Sequence, residues 1–413
     1  MKILIVNQPL YNKGDSAAHK STLISLKQML PGAKIEVILT NANEDAVKEF
    51  SVAGITYSKV DYIISSKIVV NLKRIFYRFF FLFKTQKFVL LFPSLNKISK
   101  KIKDSDIVVC APGGICMGGF RNWYHVCILM IAKHFQKPIY YYSRSIGPFL
   151  ETGFSNKLFK KNSVDLLNYF SFIALRDSKS AKFADVLGVK YVQTVDPVFL
   201  CNPADFINEK KDWNLPKSYV VFVPNSLTWQ YRYKNVPQER IDSFYLRIVE
   251  LLKHLFPNVN VVMLPQLFGT NRGDYSYFEK IKRMSNDDKI IVLPENVTSD
   301  MQQVIISKSS LVIGARYHSV VFAINNSVPF VSLSYEHKMN GLLELLGKQD
   351  CSFDLTKIFE NSWNENVAIE ELERLINCAK RDPQTRDKAH VIALNCMKKM
   401  VEQIELDKKE AEI

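Results

Sequence analysis

Short runs of β-branched and aromatic residues, each followed by a stretch of helical period, recur along this chain and leave few folds open to it. In the first half they are KILIVNQP, KIEVILT, DIVVCAPGG, KPIYYYSRSIGP and SFIALRDS, alternating with helix-period segments over 16–29, 123–135 and 178–187. The charged, two-proline stretch NPADFINEKKDWNLPKS then interrupts the pattern. It resumes with YVVFVPN, NVNVVMLPQ, KIIVLPE, SLVIGARYH and PFVSLSYEH, separated by helix-compatible segments over 240–255 and 300–307. Parallel strands need a crossover connection, usually a helix, so the alternation predicts βαβ units and a parallel sheet covered on both faces. Two such series predict an α/β chain of two doubly wound, Rossmann-like domains facing a central cleft, a GT-B-like arrangement. The boundaries read as an N-terminal domain over 1–203, a C-terminal domain over 217–350 and a charged helical tail over 351–413.

Composition fits this division. With 413 residues and 47% hydrophobic content, the chain has more apolar material than one ordinary core holds. The opening MKILIVNQPL turns polar too early for a signal peptide, and no uncharged apolar run approaches the roughly 18 residues of a membrane-spanning helix. Seven scattered cysteines without CxxC or Cys/His spacing suit free thiols in a reducing cytoplasm and offer no structural metal site.

In doubly wound sheets, ligand groups collect just past the carboxyl ends of the strands. Asn12, Gly14 and Asp15 follow the first strand, where glycine permits a tight turn and N–H groups can face an anion or hydroxyl; taken alone, they fit an ordinary βα turn with Asp15 as helix cap better. Gly113 and Gly114 are too few for a GxGxxG fingerprint or a P-loop, which disfavours a nucleoside-triphosphate site. Arg176 and Asp177 end one strand, and Asp177 could simply cap the following helix. Arg316 and His318 end another. Arg316 could grip phosphate or carboxylate with two hydrogen bonds or merely pair with a nearby acid; His318 could carry a proton or cap the next helix. Glu336 and Lys338 end the neighbouring strand, within reach of His318 if the two strands are adjacent. Two arginines and a lysine converging on one pocket would suit a small ligand bearing phosphate and carboxylate.

Taken together, NKGD, the Gly-Gly of APGG, SIGP, ALRDSKS with VDPVF, and the block IGARYHSVVFAINNSVPFVSLSYEHKMNGLLELLG resemble the polysaccharide pyruvyl transferase family, in that family's order and across 7–347. The resemblance implies a GT-B-like fold, phosphoenolpyruvate as donor co-substrate with no other cofactor and no metal, and a saccharide acceptor, expected to be a lipid-linked oligosaccharide. It also implies His318 as general acid and Arg176, Arg316 and Lys338 as donor-binding cations. Asn12, Gly14, Asp15, Gly113 and Gly114 would line the acceptor side. Cations around an imidazolium call for a balancing acid, for which Glu336 and Asp177 are the candidates. Lys13 and Ile115 depart from the family's usual pattern on that acceptor side. Two rival classes remain open at this stage. A nucleotide-sugar glycosyltransferase would release a nucleoside diphosphate and could use Glu336 on a ribose; a non-catalytic membrane-surface adaptor would ignore phosphoenolpyruvate.

The formal charge of +14 is concentrated: residues 62–103 carry ten Lys or Arg and no Asp or Glu. An excess so local speaks for one surface rather than for a nucleic-acid binder. Within 67–103, KRIFYRFFFLFKTQKFVLLF interleaves Lys73, Arg74, Arg78, Lys84 and Lys87 with phenylalanines. A helix could pack such aromatics into the core, but the FFFLF run covers every side of one. Each Lys or Arg near an anionic bilayer contributes about 1 kcal/mol, so the segment is expected to hold the protein at the inner face of the membrane. The expected outcome is salt-sensitive sedimentation with anionic vesicles that weakens when Arg74, Arg78, Lys84 and Lys87 become Glu. Equal partitioning of wild type and variant would leave the buried reading standing.

Overall fold

The computed structural model describes residues 1–61, 92–119, 121–205, 213–228, 235–269 and 273–412. They form two compact units, one of residues 1–10, 18–200 and 392–413, the other of 11–17 and 201–391.

The first unit contains β1 (Lys2–Val6), α1 (Lys13–Met29), β2 (Lys34–Thr40), α2 (Glu44–Phe50), β3 (Thr56–Val60), α3 (Pro93–Lys103), β4 (Ile107–Cys110), β5 (Gly113–Gly118), α4 (Trp123–His134), β6 (Ile139–Gly147), α5 (Phe154–Leu167), β7 (Phe172–Leu175), α6 (Ser178–Leu187) and β8 (Val192–Gln193). Its sheet runs β3-β2-β1-β4-β6-β7-β8, with β5 paired to β6 off this path, and every pairing is parallel. The order reverses between β1 and β4. A central parallel strand is buried on both faces and therefore reads as a continuous apolar run rather than an alternating one. In β1, Ile3, Leu4, Ile5 and Val6 are all buried. Helix α3 shows the complementary pattern, with Leu95, Ile98 and Ile102 on one buried stripe and Lys97, Lys100 and Lys103 exposed. Only this end of the basic, aromatic segment over 67–103 can be described; residues 67–91 lie outside the described residues. Among the described residues, no helix is long and apolar enough to cross a membrane.

The second unit repeats the plan with β9 (Tyr219–Val223), α7 (Gln238–Leu255), β10 (Asn260–Met263), α8 (Asp274–Ser285), β11 (Ile290–Val292), α9 (Ser299–Ser307), β12 (Val312–Gly314), α10 (Tyr317–Asn325), β13 (Phe330–Ser334), α11 (His337–Leu346), β14 (Ser352–Asp354) and α12 (Glu365–Cys378). The order β11-β10-β9-β12-β13-β14 is again parallel throughout and reverses between β9 and β12.

The C-terminal segment is not the separate helical tail expected over 351–413. Its β14 pairs with β13 as the last strand of the second sheet, and α12 packs on α7. The final helix, α13 (Pro383–Glu412), contributes its residues from 392 onward to the first unit. The reason is a stripe hidden in a charged helix: Ala393, Met397, Met400 and Ile404 recur at helical spacing and are fully buried. The Tyr140 hydroxyl donates to Asp407 Oδ2 at 2.6 Å and fixes the end of this helix to β6.

If that stripe holds α13 in place, Met400→Ala should cost about 2–5 kcal/mol, as truncation of a core side chain does. Lys398→Ala, on the exposed face, should change stability by less than about 0.5 kcal/mol. Thermal unfolding checks both, and equal effects would contradict the packing described.

Candidate active site

The point where strand order reverses leaves a gap beyond the strand ends, and in the second unit it lies between β9 and β12. The residues that follow these strands and β10 are buried polar groups: Asn225, Gln266, Arg316 and His318. Tyr245 of α7 clamps the end of β9, accepting from the Asn225 N–H (3.2 Å) and donating to its carbonyl (2.9 Å).

Asp274, the first residue of α8, organises the rest. One carboxylate oxygen accepts from Arg316 Nη2; the other accepts the backbone N–H groups of Gln266 (3.0 Å) and Leu267 (2.9 Å). Burial opposes the charge of Arg316, but Asp274 and the Tyr335 phenol outweigh it and hold the guanidinium more basic than an ordinary arginine. Arg316 thus has the acid partner that its bland reading required, and it keeps a planar donor edge beyond that pair. His318, on the first turn of α10, is 5% exposed, and its ring meets that of Tyr317 edge-on at 5.0 Å. Lys338 pairs with Glu336 at 2.8 Å, and its Nζ lies 5.7 Å from the centre of the Tyr317 ring. His318 and the Lys338 of the Glu336 pair therefore lie near one tyrosine, which directly follows Arg316 in the chain.

The Asn12–Asp15 turn groups with the second unit rather than the first, where the sequence alone had placed it. Backbone bonds hold it there. The Lys13 N–H donates to the Gln266 carbonyl at 2.9 Å, the Phe268 N–H donates to the Tyr11 carbonyl at 3.1 Å, and Asn12 bridges Leu267. Tyr11 turns the chain with a φ of 65°. The helix cap is Asn12, whose side chain accepts from the Gly14 N–H at 2.8 Å, so Asp15 sits inside the first turn and is not the cap. Lys13 is buried with its Nζ 4.1 Å from the centre of the Phe268 ring. Gly14 lies against the catalytic candidate itself: a Cβ there would stand 1.8 Å from His318 Cγ and 2.0 Å from Nδ1.

The remaining candidates belong to the first unit. Arg176 is buried in an ion pair with Asp196 and also reaches Ser145 Oγ. Asp177 caps α6 through the Ser180 N–H (2.8 Å) and accepts from the Ser145 hydroxyl (2.7 Å). Gly113 and Gly114 begin β5 rather than a free loop, because the Gly113 face is closed by Pro9 and by Arg144, 2.9 Å from where a Cβ would be. Arg144 itself is fully buried. It donates through Nη2 to the Asn7 carbonyl (3.0 Å), through Nε to the Ala111 carbonyl, and through Nη1 to His125 Nδ1 (3.3 Å). Burial and then Arg144 push His125 well below its usual range, so it is neutral, with its proton on Nε2 facing the Cys110 thiol at 3.8 Å.

Asp274 had no role in the sequence reading, which takes Arg144 only as part of the polar cluster 143–148 at the end of a strand. The signal for Asp274 was only an acid in the first turn of a helix, which is commonplace.

The sequence profile of the polysaccharide pyruvyl transferase family matches residues 12–337, so the chain belongs to that family. The amylovoran biosynthesis protein AmsJ of Erwinia amylovora is 22% identical over 281 residues, covering 65% of this chain and 66% of its own length, just under two thirds of that protein. Among solved structures, the UDP-GlcNAc 2-epimerase of Neisseria meningitidis superposes with a TM-score of 0.58 at 12% identity, covering 98% of this chain and 99% of its own. That of Methanocaldococcus jannaschii gives 0.55 at 12%, covering 94% and 98%. At such identity the likeness concerns the fold alone, which is of the GT-B type.

Gly14→Ala should displace the His318 imidazole even though alanine favours a helix by about 0.5–1 kcal/mol over glycine. Displacement of a catalytic group by about 1 Å can cost around a hundredfold, so turnover should fall at least tenfold. Steady-state kinetics would check this, and unchanged turnover would mean that His318 is not held by this contact.

Proposed function

We propose that this chain transfers the pyruvyl group of phosphoenolpyruvate to two hydroxyls of a saccharide, forming a cyclic ketal and releasing phosphate, in the assembly of a surface polysaccharide or its lipid-linked precursor. The observation that carries the reading is that Arg316 and His318 follow β12, beside the strand-order reversal of the second unit, with Lys338 after the adjacent β13 and near the same tyrosine as His318, within the family match.

The chemistry needs a proton donor and fixed positive charge. His318, as imidazolium, gives its proton to the methylene carbon, leaving an oxocarbenium-like centre at the carbon that bears the phosphate. One sugar hydroxyl attacks that carbon, and its proton returns to the imidazole. Phosphate then departs with the electron pair of the carbon–oxygen bond, and the second hydroxyl closes the ketal, its proton leaving with phosphate. Arg316, prealigned by Asp274, suits a two-pronged grip on phosphate or carboxylate, and Lys338 adds a point charge. Glu336, paired with Lys338, is the balancing acid of the cluster. For Arg176, the buried pair with Asp196 makes donor binding the weaker assignment of the three cations.

His318→Gln should lower kcat by about 10²–10⁴-fold, the usual contribution of a positioned acid, while the Kd for phosphoenolpyruvate changes only a few-fold. Arg316→Lys should be nearly as damaging as Arg316→Ala, because a point charge reproduces neither the grip on the donor nor the bond to Asp274. Phosphate-release kinetics and calorimetry measure both. Near wild-type kcat in His318→Gln would remove it as the acid, and release of a nucleoside diphosphate from a sugar nucleotide would favour the glycosyltransferase reading.

A further inference from the structure

Buried polar groups almost always have hydrogen-bond partners, and each exception needs an explanation. Gln266 is 1% exposed, yet among the described residues neither its Oε1 nor its Nε2 has a partner. Its main chain is fully committed, the N–H to Asp274 and the carbonyl to Lys13. The same is true of Arg316 Nε, buried and without a partner among the described residues while Nη2 is held by Asp274. Gln302 adds a fourth such atom: its Nε2 donates to the Pro265 carbonyl at 2.7 Å, and its Oε1 has no partner among the described residues. These groups are not scattered, because Asp274 binds both the Gln266 backbone and the Arg316 guanidinium, and Gln302 binds the residue before Gln266. Unmatched donors and acceptors gathered beside a cation that is already aligned describe a site whose partners arrive with a ligand.

We propose that the Gln266 carboxamide is a ligand-contacting residue of this site, its Nε2 donating to an oxyanion oxygen of the donor beside Arg316 Nε. The inference rests on phosphoenolpyruvate being the donor. Neutral Nε2–H beside a guanidinium selects an anion by geometry without adding charge, and the orphaned Oε1 requires a proton-bearing group, which a hydroxyl provides.

A residue that supports the empty fold and one that waits for a ligand respond oppositely to removal of the amide. Gln266→Met keeps the side-chain length and deletes both unmatched atoms, so the ligand-free protein should unfold at the same temperature as wild type or higher. Its Kd for phosphoenolpyruvate should rise about 10–100-fold, as expected for loss of a hydrogen bond to a charged group. Gln266→Glu, which sets a carboxylate against the anion, should bind still more weakly. Calorimetric titration with phosphoenolpyruvate and ligand-free thermal unfolding of the full chain give both readings. An unchanged Kd in Gln266→Met, with wild-type binding intact, overturns the inference and spares the proposed function, as does a lowered unfolding temperature with an unchanged Kd. Absence of phosphoenolpyruvate binding by the wild type overturns both.

Discussion

The second unit's site depends on one carboxylate. Asp274 accepts from Arg316 on one side and from two consecutive backbone N–H groups on the other, and it is 3% exposed. A buried carboxylate is tolerable only when its lone pairs are met, and here three donors meet them. In return it fixes where the guanidinium points and where the chain after β10 turns. Because the Gln266 carbonyl receives the Lys13 N–H, the same turn seats the Asn12–Gly14 segment, and Gly14 in turn lies on His318. A guanidinium held this way is aligned in advance of any ligand, so little reorganisation of it would remain for binding an anion.

Three buried arginines, one within a strand and two just after strands, are held by different sets of partners, which separates framework from chemistry. Arg144 is surrounded by two carbonyls and a neutral histidine and serves to join the ends of β1 and β4. Arg176 has a carboxylate of its own in Asp196. Arg316 shares Asp274 with the backbone and leaves Nε unmatched among the described residues. Arg316 combines an orientation fixed by Asp274 with a guanidinium nitrogen that has no partner among the described residues.

Much of the fold was legible because central parallel strands read as continuous apolar runs, ILIV after Lys2 in β1 and YVVFV in β9, and strands of that kind must alternate with helices. The strands that escaped notice are those without that signature: TYSKV is polar, GGICMG opens on two glycines, VQ has two residues, and SFD is a short strand that pairs with β13 at the end of the second sheet. The tail misled because α13 is charged in composition while its buried stripe of alanines and methionines carries little periodic signal. At the site, Arg316, His318, Glu336 and Lys338 were legible from their places after strands. Asp274 was not, since an acid at the start of a helix has the same appearance whether it meets solvent or a guanidinium. Nor could the sequence place Asn12–Asp15 with the second unit, which takes two backbone hydrogen bonds and a left-handed Tyr11.

The central claim is that a positioned imidazolium protonates the donor's methylene carbon so that two hydroxyls can share the resulting centre. Mass spectrometry of the acceptor saccharide after reaction with phosphoenolpyruvate in heavy water tests it most directly. The account predicts a mass gain of one pyruvate less one water, with one solvent deuterium retained in the methyl group after return to ordinary water. A product without that deuterium, or an unmodified acceptor in the presence of bound donor, would contradict it.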